Sequence, residues 1–267
     1  LGIELSDRQP LAFGKIAAYP CIQVINTCFL KGGIMSKTPV IAFVSPKGGV
    51  GKTTAALTLA SELIHQTGER ISIIDADPNY PFKRWAALNR KPHSLDIICD
   101  DSEETILDNI ERAKQSTKAV LIDLEGTKNM RVTYAVSKAD LVIIPVQGSI
   151  LDANEAAEAI KLVKRTEKGF GRTIDYAILF TRLPAALLTR NFLDISNQLK
   201  DAQIQVLDAQ LIEREAFKTM FSTGRCLHDL SESQVSGLVK AKADAANYAH
   251  AILNRLRRRH TQSTQAA

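Results

Sequence analysis

Ser45-Pro46-Lys47-Gly48-Gly49-Val50-Gly51-Lys52-Thr53-Thr54 joins two segments of opposite periodicity. Before it stands a short β-rich run, Val40-Ile41-Ala42-Phe43-Val44. After it, apolar residues at Ala56, Leu59, Ala60, Leu63 and Ile64 recur at the spacing of a helix face. A glycine loop between a strand and a helix is the setting in which backbone N–H groups turn inward onto phosphate oxygens, beside the positive end of the helix. In this reading Gly48, Gly49, Val50 and Gly51 form the cradle. Lys52 reaches the β- and γ-phosphates, Thr53 offers its hydroxyl to Mg²⁺, and Thr54 bonds the α-phosphate. A glycine turn that merely caps a helix is the alternative; it leaves the Lys-Thr-Thr ending without a purpose.

Outward from the loop the order stays regular. Ile71–Ile74, Ala119–Ile122, Leu141–Ile144 and Tyr176–Phe180 read as further strands, with helical patterns over Ile106–Lys114, Asn154–Arg165 and Phe192–Lys200. Continuous apolar strands alternating with amphipathic helices predict an α/β fold, a mostly parallel sheet with helices on both faces, and ligands at the carboxyl ends of its strands. Two acidic motifs fall at such ends. Asp75-Ala76-Asp77-Pro78 closes the second strand with paired carboxylates, or else forms an Asx turn. Val120-Leu121-Ile122-Asp123 has the form of a Walker B strand that delivers an Asp toward Mg²⁺, and it runs on into Leu124-Glu125-Gly126. No N/T-K-x-D motif follows, so ATP is expected rather than GTP.

The strict phosphate-loop pattern places a first glycine where Pro46 stands; a second lysine, Lys47, takes its place in Lys-Gly-Gly-Val-Gly-Lys-Thr-Thr. With that lysine the loop resembles the deviant Walker A motif of the ParA/MinD family of P-loop ATPases. The resemblance covers roughly Lys37 to Leu230. It implies a weak ATPase acting as a switch, with ATP and Mg²⁺ as cofactors. In such a family Lys47 reaches the phosphates of a partner in a homodimer, Asp77 positions the attacking water, and Asp75 lies nearer the Mg²⁺ shell beside Thr53 and Asp123. Asp75–Trp85 and Glu213–Met220 are similar to the subgroup of short plasmid partition ATPases and those assisting T-DNA transfer. The implied function is plasmid partition with a ParB-like centromere-binding partner; the alternative is an adaptor that positions a conjugative or T-DNA transfer complex. The segments Ile144–Gln147 and Phe180–Arg182 match those that contact the base in the family. Leu124-Glu125-Gly126 departs from the family's prolines.

The 267 residues carry 34 Lys+Arg against 29 Asp+Glu. From Lys240 onward six basic residues face one acid, so the net +5 belongs to the end of the chain. Leu238, Ala241, Ala245, Tyr248, Ile252 and Leu256 predict a last helix with one packed face. Its end carries Arg255, Arg257, Arg258 and Arg259, more than a helix macrodipole accounts for. These four are expected to bind non-specific DNA through phosphates, with Arg190, Arg214, Lys218 and Arg225 as additions. A membrane-surface helix wants bulky apolar residues there and is disfavoured. A cytoplasmic, nucleoid-associated protein is implied. Cys21, Cys28, Cys99 and Cys226 lack metal-ligand spacing and fit a reducing compartment.

Residues 1–34 show neither strand nor helix period, and Lys31–Met35 reads as a ribosome-binding sequence translated in frame. The expectation is a non-native or upstream-translated leader over 1–34, a single ParA-type ATPase domain over 35–260, and a disordered tail over 261–267.

Overall fold

A computed structural model describes residues 37–127, 129–184 and 190–265; the expected leader lies outside them. The order is β1 (Val40–Phe43), α1 (Lys52–Thr67), β2 (Ile71–Ala76), α2 (Pro81–Ala86), β3 (Leu95–Cys99), α3 (Ile106–Ser116), β4 (Ala119–Leu124) and α4 (Met130–Lys138). It continues with β5 (Leu141–Val146), α5 (Ile150–Phe170), β6 (Asp175–Leu183), α6 (Arg190–Asp201), β7 (Val206–Ile212), α7 (Glu215–Thr223), a 3₁₀ turn (Leu227–Asp229) and α8 (Leu238–Gln265).

The seven strands form one sheet in the order β3-β2-β4-β1-β5-β6-β7, and every pairing among the described residues is parallel. β1, β2, β4 and β5 are buried along their whole lengths, which is why their sequences are unbroken apolar runs. Successive residues serve opposite faces. Ile41, Phe43, Ile73 and Leu121 face a layer built from α1, α2, α7 and α8. Val40, Ala42, Ile74 and Ile122 face α3, α4, α5 and α6. Each large side chain so buried contributes roughly 1.5–3 kcal/mol relative to leaving it in water.

Two strands were not evident from the sequence, and both are sheet edges. β3 (Leu-Asp-Ile-Ile-Cys) and β7 (Val-Leu-Asp-Ala-Gln-Leu-Ile) are only partly buried and carry polar residues on the solvated face. β6 is longer than its apolar core: the ladder to β7 shifts register between Thr181 and Leu183, a bulge at which Arg182 takes a left-handed φ of 51°.

Helix α2 is only six residues long and relies on its surroundings. Asp75, at the end of β2, accepts from the N–H groups of Phe82 (2.9 Å) and Lys83 (3.1 Å) and so satisfies its first turn. At its other end the Trp85 indole Nε1 donates to the Met220 carbonyl of α7 at 2.8 Å. Gly224 ends α7 at φ 69°, where a Cβ would lie 2.5 Å from the Leu88 Cβ; only glycine satisfies both that backbone and that approach.

Helix α8 extends the packed face predicted for it and continues to Gln265, so residues 261–265 of the expected tail are helical, and residues 266–267 lie outside the described residues. No glycine or proline follows Arg259 to stop the helix, and the Thr261 hydroxyl donates back to the Arg257 carbonyl at 3.2 Å. No helix among the described residues is long and apolar enough to cross a membrane.

Candidate functional site

The loop after β1 lies at the carboxyl edge of the sheet, against a cavity of ≈ 580 Å³. Gly49 and Gly51 have φ of 73° and 99°, backbone that β-carbons disfavour. Gly51 also packs against Thr181, whose Cβ would lie 3.4 Å from an added Cβ. Helix α1 starts immediately after it with no acidic residue in its first turn, so no side chain of that turn opposes the positive end of the helix dipole.

Gly48, Gly49, Gly51, Lys52, Thr53 and Thr54 all line the cavity. The Val50 side chain is buried in the core, which leaves only its backbone for a ligand. Lys52 is 7% exposed and donates from Nζ to the Lys47 carbonyl at 3.3 Å. The Thr53 hydroxyl donates to Asp123 Oδ2 at 2.7 Å. Lys47 is partly buried beside Ser45, whose Oγ accepts from the Lys47 N–H at 3.3 Å.

The acidic residues are brought together by register. Asp75 on β2 stands directly opposite Asp123 on β4, and both are fully buried. Burial pushes the Asp123 carboxyl up to about 7, against the hydrogen bond from Thr53 and the charge of Lys52 that pull it down. Burial likewise raises Asp75 to about 6, opposed by the two α2 N–H groups. One oxygen of each, Oδ1, is buried without a protein partner, which leaves an acceptor unused on each carboxyl. A hydroxyl and carboxylate oxygens of this kind suit Mg²⁺, which prefers hard oxygen donors, few protein ligands and the phosphates of its nucleotide. Among the described residues no three His, Cys, Asp or Glu side chains converge as an all-protein metal cage.

Asp77 also lines the cavity, partly buried, with Oδ1 accepting from the Asn79 N–H at 2.7 Å. The Asx turn and the site-facing position therefore occur in the same residue. Glu125 is exposed and lines the cavity, just ahead of Gly126 at φ 68°.

The strand ends matched to base contact also reach the loop itself. Gln147 Nε2 donates to the Gly49 carbonyl at 2.9 Å, Arg182 Nη1 donates to the same oxygen at 2.8 Å, and the Thr181 hydroxyl donates to the Val50 carbonyl at 2.6 Å. They hold the loop. The far wall of the cavity comes from Leu211 and Ile212 at the end of β7 and Phe217 and Phe221 on α7, an apolar surface suited to a flat heterocycle. The helical spacing of the two phenylalanines was visible in the sequence, but only the unrecognised edge strand β7 brings them to the loop.

The basic residues divide. Arg255 makes a bidentate pair with Asp175 (2.8 and 2.6 Å) and bonds the Tyr176 carbonyl at 2.9 Å. Arg259 donates to the Asp140 carbonyl at 2.7 Å and to the Thr173 carbonyl. These two fasten α8 to the amino edge of β5 and β6: their partly buried guanidinium groups are engaged by acceptors of the fold, which leaves them less available to DNA phosphates than expected. Arg258 is exposed, and Arg257 is partly buried with Nη2 3.5 Å from Asn254 Oδ1. Arg214 is likewise tied to Asp244 at 2.6 Å, and Arg225 to the Asp229 carbonyl at 3.2 Å. Lys218 pairs with Glu213 at 3.4 Å on the rim of the cavity. The Arg190 side chain lies outside the described residues.

Comparison with known proteins places this geometry. Residues 35–257 match the sequence model of the family described as VirC1 protein. The chain is 32% identical to "Protein ParA" of Rhizobium radiobacter over 218 residues, covering 82% of this chain and 97% of that one. It is 28% identical to "Protein virC1" of Rhizobium rhizogenes, over 69% of this chain and 81% of that one. Among solved structures, a plasmid partition protein of Borrelia burgdorferi bound to AMPPNP superposes with a TM-score of 0.61 at 18% identity, covering 82% of this chain and all (100%) of that one. The MinC:MinD cell division complex of Aquifex aeolicus superposes with a TM-score of 0.63 at 18% identity, over 81% of this chain and 96% of that one. With the loop, the Walker B aspartate and the all-parallel sheet, these matches establish that the chain belongs to the VirC1 family, a ParA-type branch of the P-loop ATPases.

Proposed function

We propose that the chain is a Mg·ATP-dependent switch that hydrolyses ATP slowly, pairs with a second copy when ATP is bound, and binds DNA without sequence preference. With a ParB-like centromere-binding partner it drives plasmid partition from a cytoplasmic, nucleoid-associated location. The observation that carries this reading is a glycine loop that lines one cavity together with Lys52 and Thr53, the Thr53 hydroxyl being bonded to the buried Asp123. The relative named ParA, matched over nearly its whole length, supports the partition role.

Phosphate binding falls to the loop N–H groups and Lys52. The ammonium of Lys52 exchanges the Lys47 carbonyl for phosphate oxygens, a contact between opposite charges that is stronger than the ion–dipole contact it leaves. Thr53, Asp123 and Asp75 would hold Mg²⁺, which when bound neutralises charge on the phosphate oxygens. Asp77 orients the attacking water at the cavity wall, and Lys47 serves the partner's phosphates. DNA binding rests on Arg258 and Arg257, with Lys218 on the cavity rim as an addition.

A second reading is favoured by the match to the VirC1 family: an adaptor ATPase that positions a conjugative or T-DNA transfer complex. ATP binding and turnover by the native chain, Lys52→Ala and Asp77→Ala test the shared core. Lys52→Ala is expected to lose nucleotide binding, and Asp77→Ala to bind ATP and turn it over slowly; normal turnover by Asp77→Ala removes its assigned role. Partner capture then separates the two readings, a centromere-binding protein against a relaxase or coupling protein.

A further inference from the structure

The carbonyl of Gly49 accepts two side-chain hydrogen bonds at once, from Gln147 Nε2 (2.9 Å) and Arg182 Nη1 (2.8 Å). A carbonyl oxygen has two lone pairs, so both are filled. The peptide that follows is planar and trans, as no cis bond occurs among the described residues. Its N–H, that of Val50, therefore points opposite to the oxygen. Fixing the Gly49 oxygen toward Gln147 and Arg182, of which Arg182 also lines the cavity, therefore fixes the Val50 N–H away from those two side chains. The buried Val50 side chain anchors the far side of the same peptide, and Thr181 sets the next one by holding the Val50 carbonyl at 2.6 Å.

Arg182 reaches this position from an unfavoured backbone. It is a non-glycine residue at φ 51°, on the bulge where the β6–β7 ladder shifts register. Such bulges re-aim side chains, and a left-handed arginine persists only where its surroundings determine it. Its second nitrogen, Nη2, faces Glu213 Oε1 at 3.4 Å, so the same guanidinium ties the loop to the β7 side of the cavity.

We infer that Arg182 and Gln147 are positioning residues that hold the phosphate loop open for its ligand, acting through the Gly49 carbonyl and not by touching the nucleotide. The inference rests on the nucleotide-binding reading of the cavity. Replacing Arg182 leaves the Gly49 peptide with one outer donor and lets the Val50 N–H turn away from the phosphates.

The test is equilibrium binding of ATP, ADP and GTP to the native chain, Arg182→Gly, Arg182→Ala, Arg182→Lys and Gln147→Ala, with a thermal melt of each ligand-free protein. Arg182→Gly is expected to melt above Arg182→Ala, because glycine suits the left-handed backbone. Both are expected to bind ATP and ADP about tenfold more weakly, ~1.4 kcal/mol, with the ATP:GTP preference unchanged. Arg182→Lys, with one donor on a flexible stem, recovers part of the loss, and Gln147→Ala shows a loss of the same kind. Three results overturn the inference: ATP affinity within twofold of native in Arg182→Gly, a loss confined to ATP, or a changed ATP:GTP preference. The last two make Arg182 a direct contact to the γ-phosphate or the base. Absence of ATP binding by the native chain instead overturns the nucleotide reading on which this one stands.

Discussion

The substitution Asp123→Asn removes a charge from the most buried part of the site while keeping its shape and the acceptor for Thr53. In the ligand-free protein the Asp123 carboxyl rises from 3.8 to about 7. At 1.36 kcal/mol per unit, ionising it in the fold rather than in the unfolded chain costs about 4 kcal/mol above pH 7. The native state holds the proton more tightly than the unfolded chain does. The contribution of this carboxyl to stability is therefore greatest below pH 4, falls as the pH rises toward 7, and levels off above it. An amide at this position has no such dependence, but its N–H group stands where Oδ1 is buried without a partner, a penalty of about 1–3 kcal/mol. The variant should thus be more stable than the native chain by roughly 1–3 kcal/mol at pH 8, and should lose about 2–3 kcal/mol of that advantage by pH 5. Asp75 is raised by burial in both proteins, but its charge also raises Asp123, so the difference between them reports Asp123 together with its coupling to Asp75. Urea unfolding at pH 5, 6, 7 and 8, without nucleotide and then with Mg·ATP, measures it. Mg·ATP should stabilise the native chain far more than the variant. A stability difference that does not change with pH, or a variant that gains on the native chain as the pH falls, refutes the argument.

Other perturbations separate roles that the sequence alone left merged. Gly224→Ala combines an unfavourable φ with a 2.5 Å approach to Leu88, whereas Gly68→Ala meets the same backbone sign with open space. Gly68→Ala should cost about 1 kcal/mol in a melt and Gly224→Ala roughly 2–4 kcal/mol, the excess being the steric part. Arg255→Ala strands Asp175 and should destabilise the fold by roughly 1–3 kcal/mol with unchanged DNA retention by the folded protein. Arg258→Ala should leave the melt unchanged and lower the slope of log K against log salt for random DNA by about 1. The opposite pattern for these two arginines reverses their assignment.

The loop, its neighbouring strand and helix, and the two acidic strand ends were legible because burial on both faces writes itself as unbroken apolar sequence. Polar residues at the end of such a run then stand out. Edge strands β3 and β7 lack that signal: Asp96, Asp208 and Gln210 interrupt them, since one side of each meets water. Missing β7 hid the wall that brings Phe217 and Phe221 to the loop. The work of Gln147 and Arg182 on the Gly49 carbonyl has no sequence signature either, because it depends on a bulge between strands far apart in the chain. Counting arginines overstated the free basic surface: whether a guanidinium is available depends on the acceptors that folding brings to it, here Asp175 and the carbonyls at the amino ends of β5 and β6.

Trp85 is the single tryptophan of the 267 residues. Its ring is 2% exposed, on the short helix capped by Asp75, and its indole N–H is bound to the helix that walls the cavity. The protein therefore carries an intrinsic fluorophore at the joint between its acidic strand end and its apolar wall. Parting of the two helices wets the indole and moves its emission to longer wavelength, so the joint can be followed in real time on unlabelled protein during a nucleotide cycle.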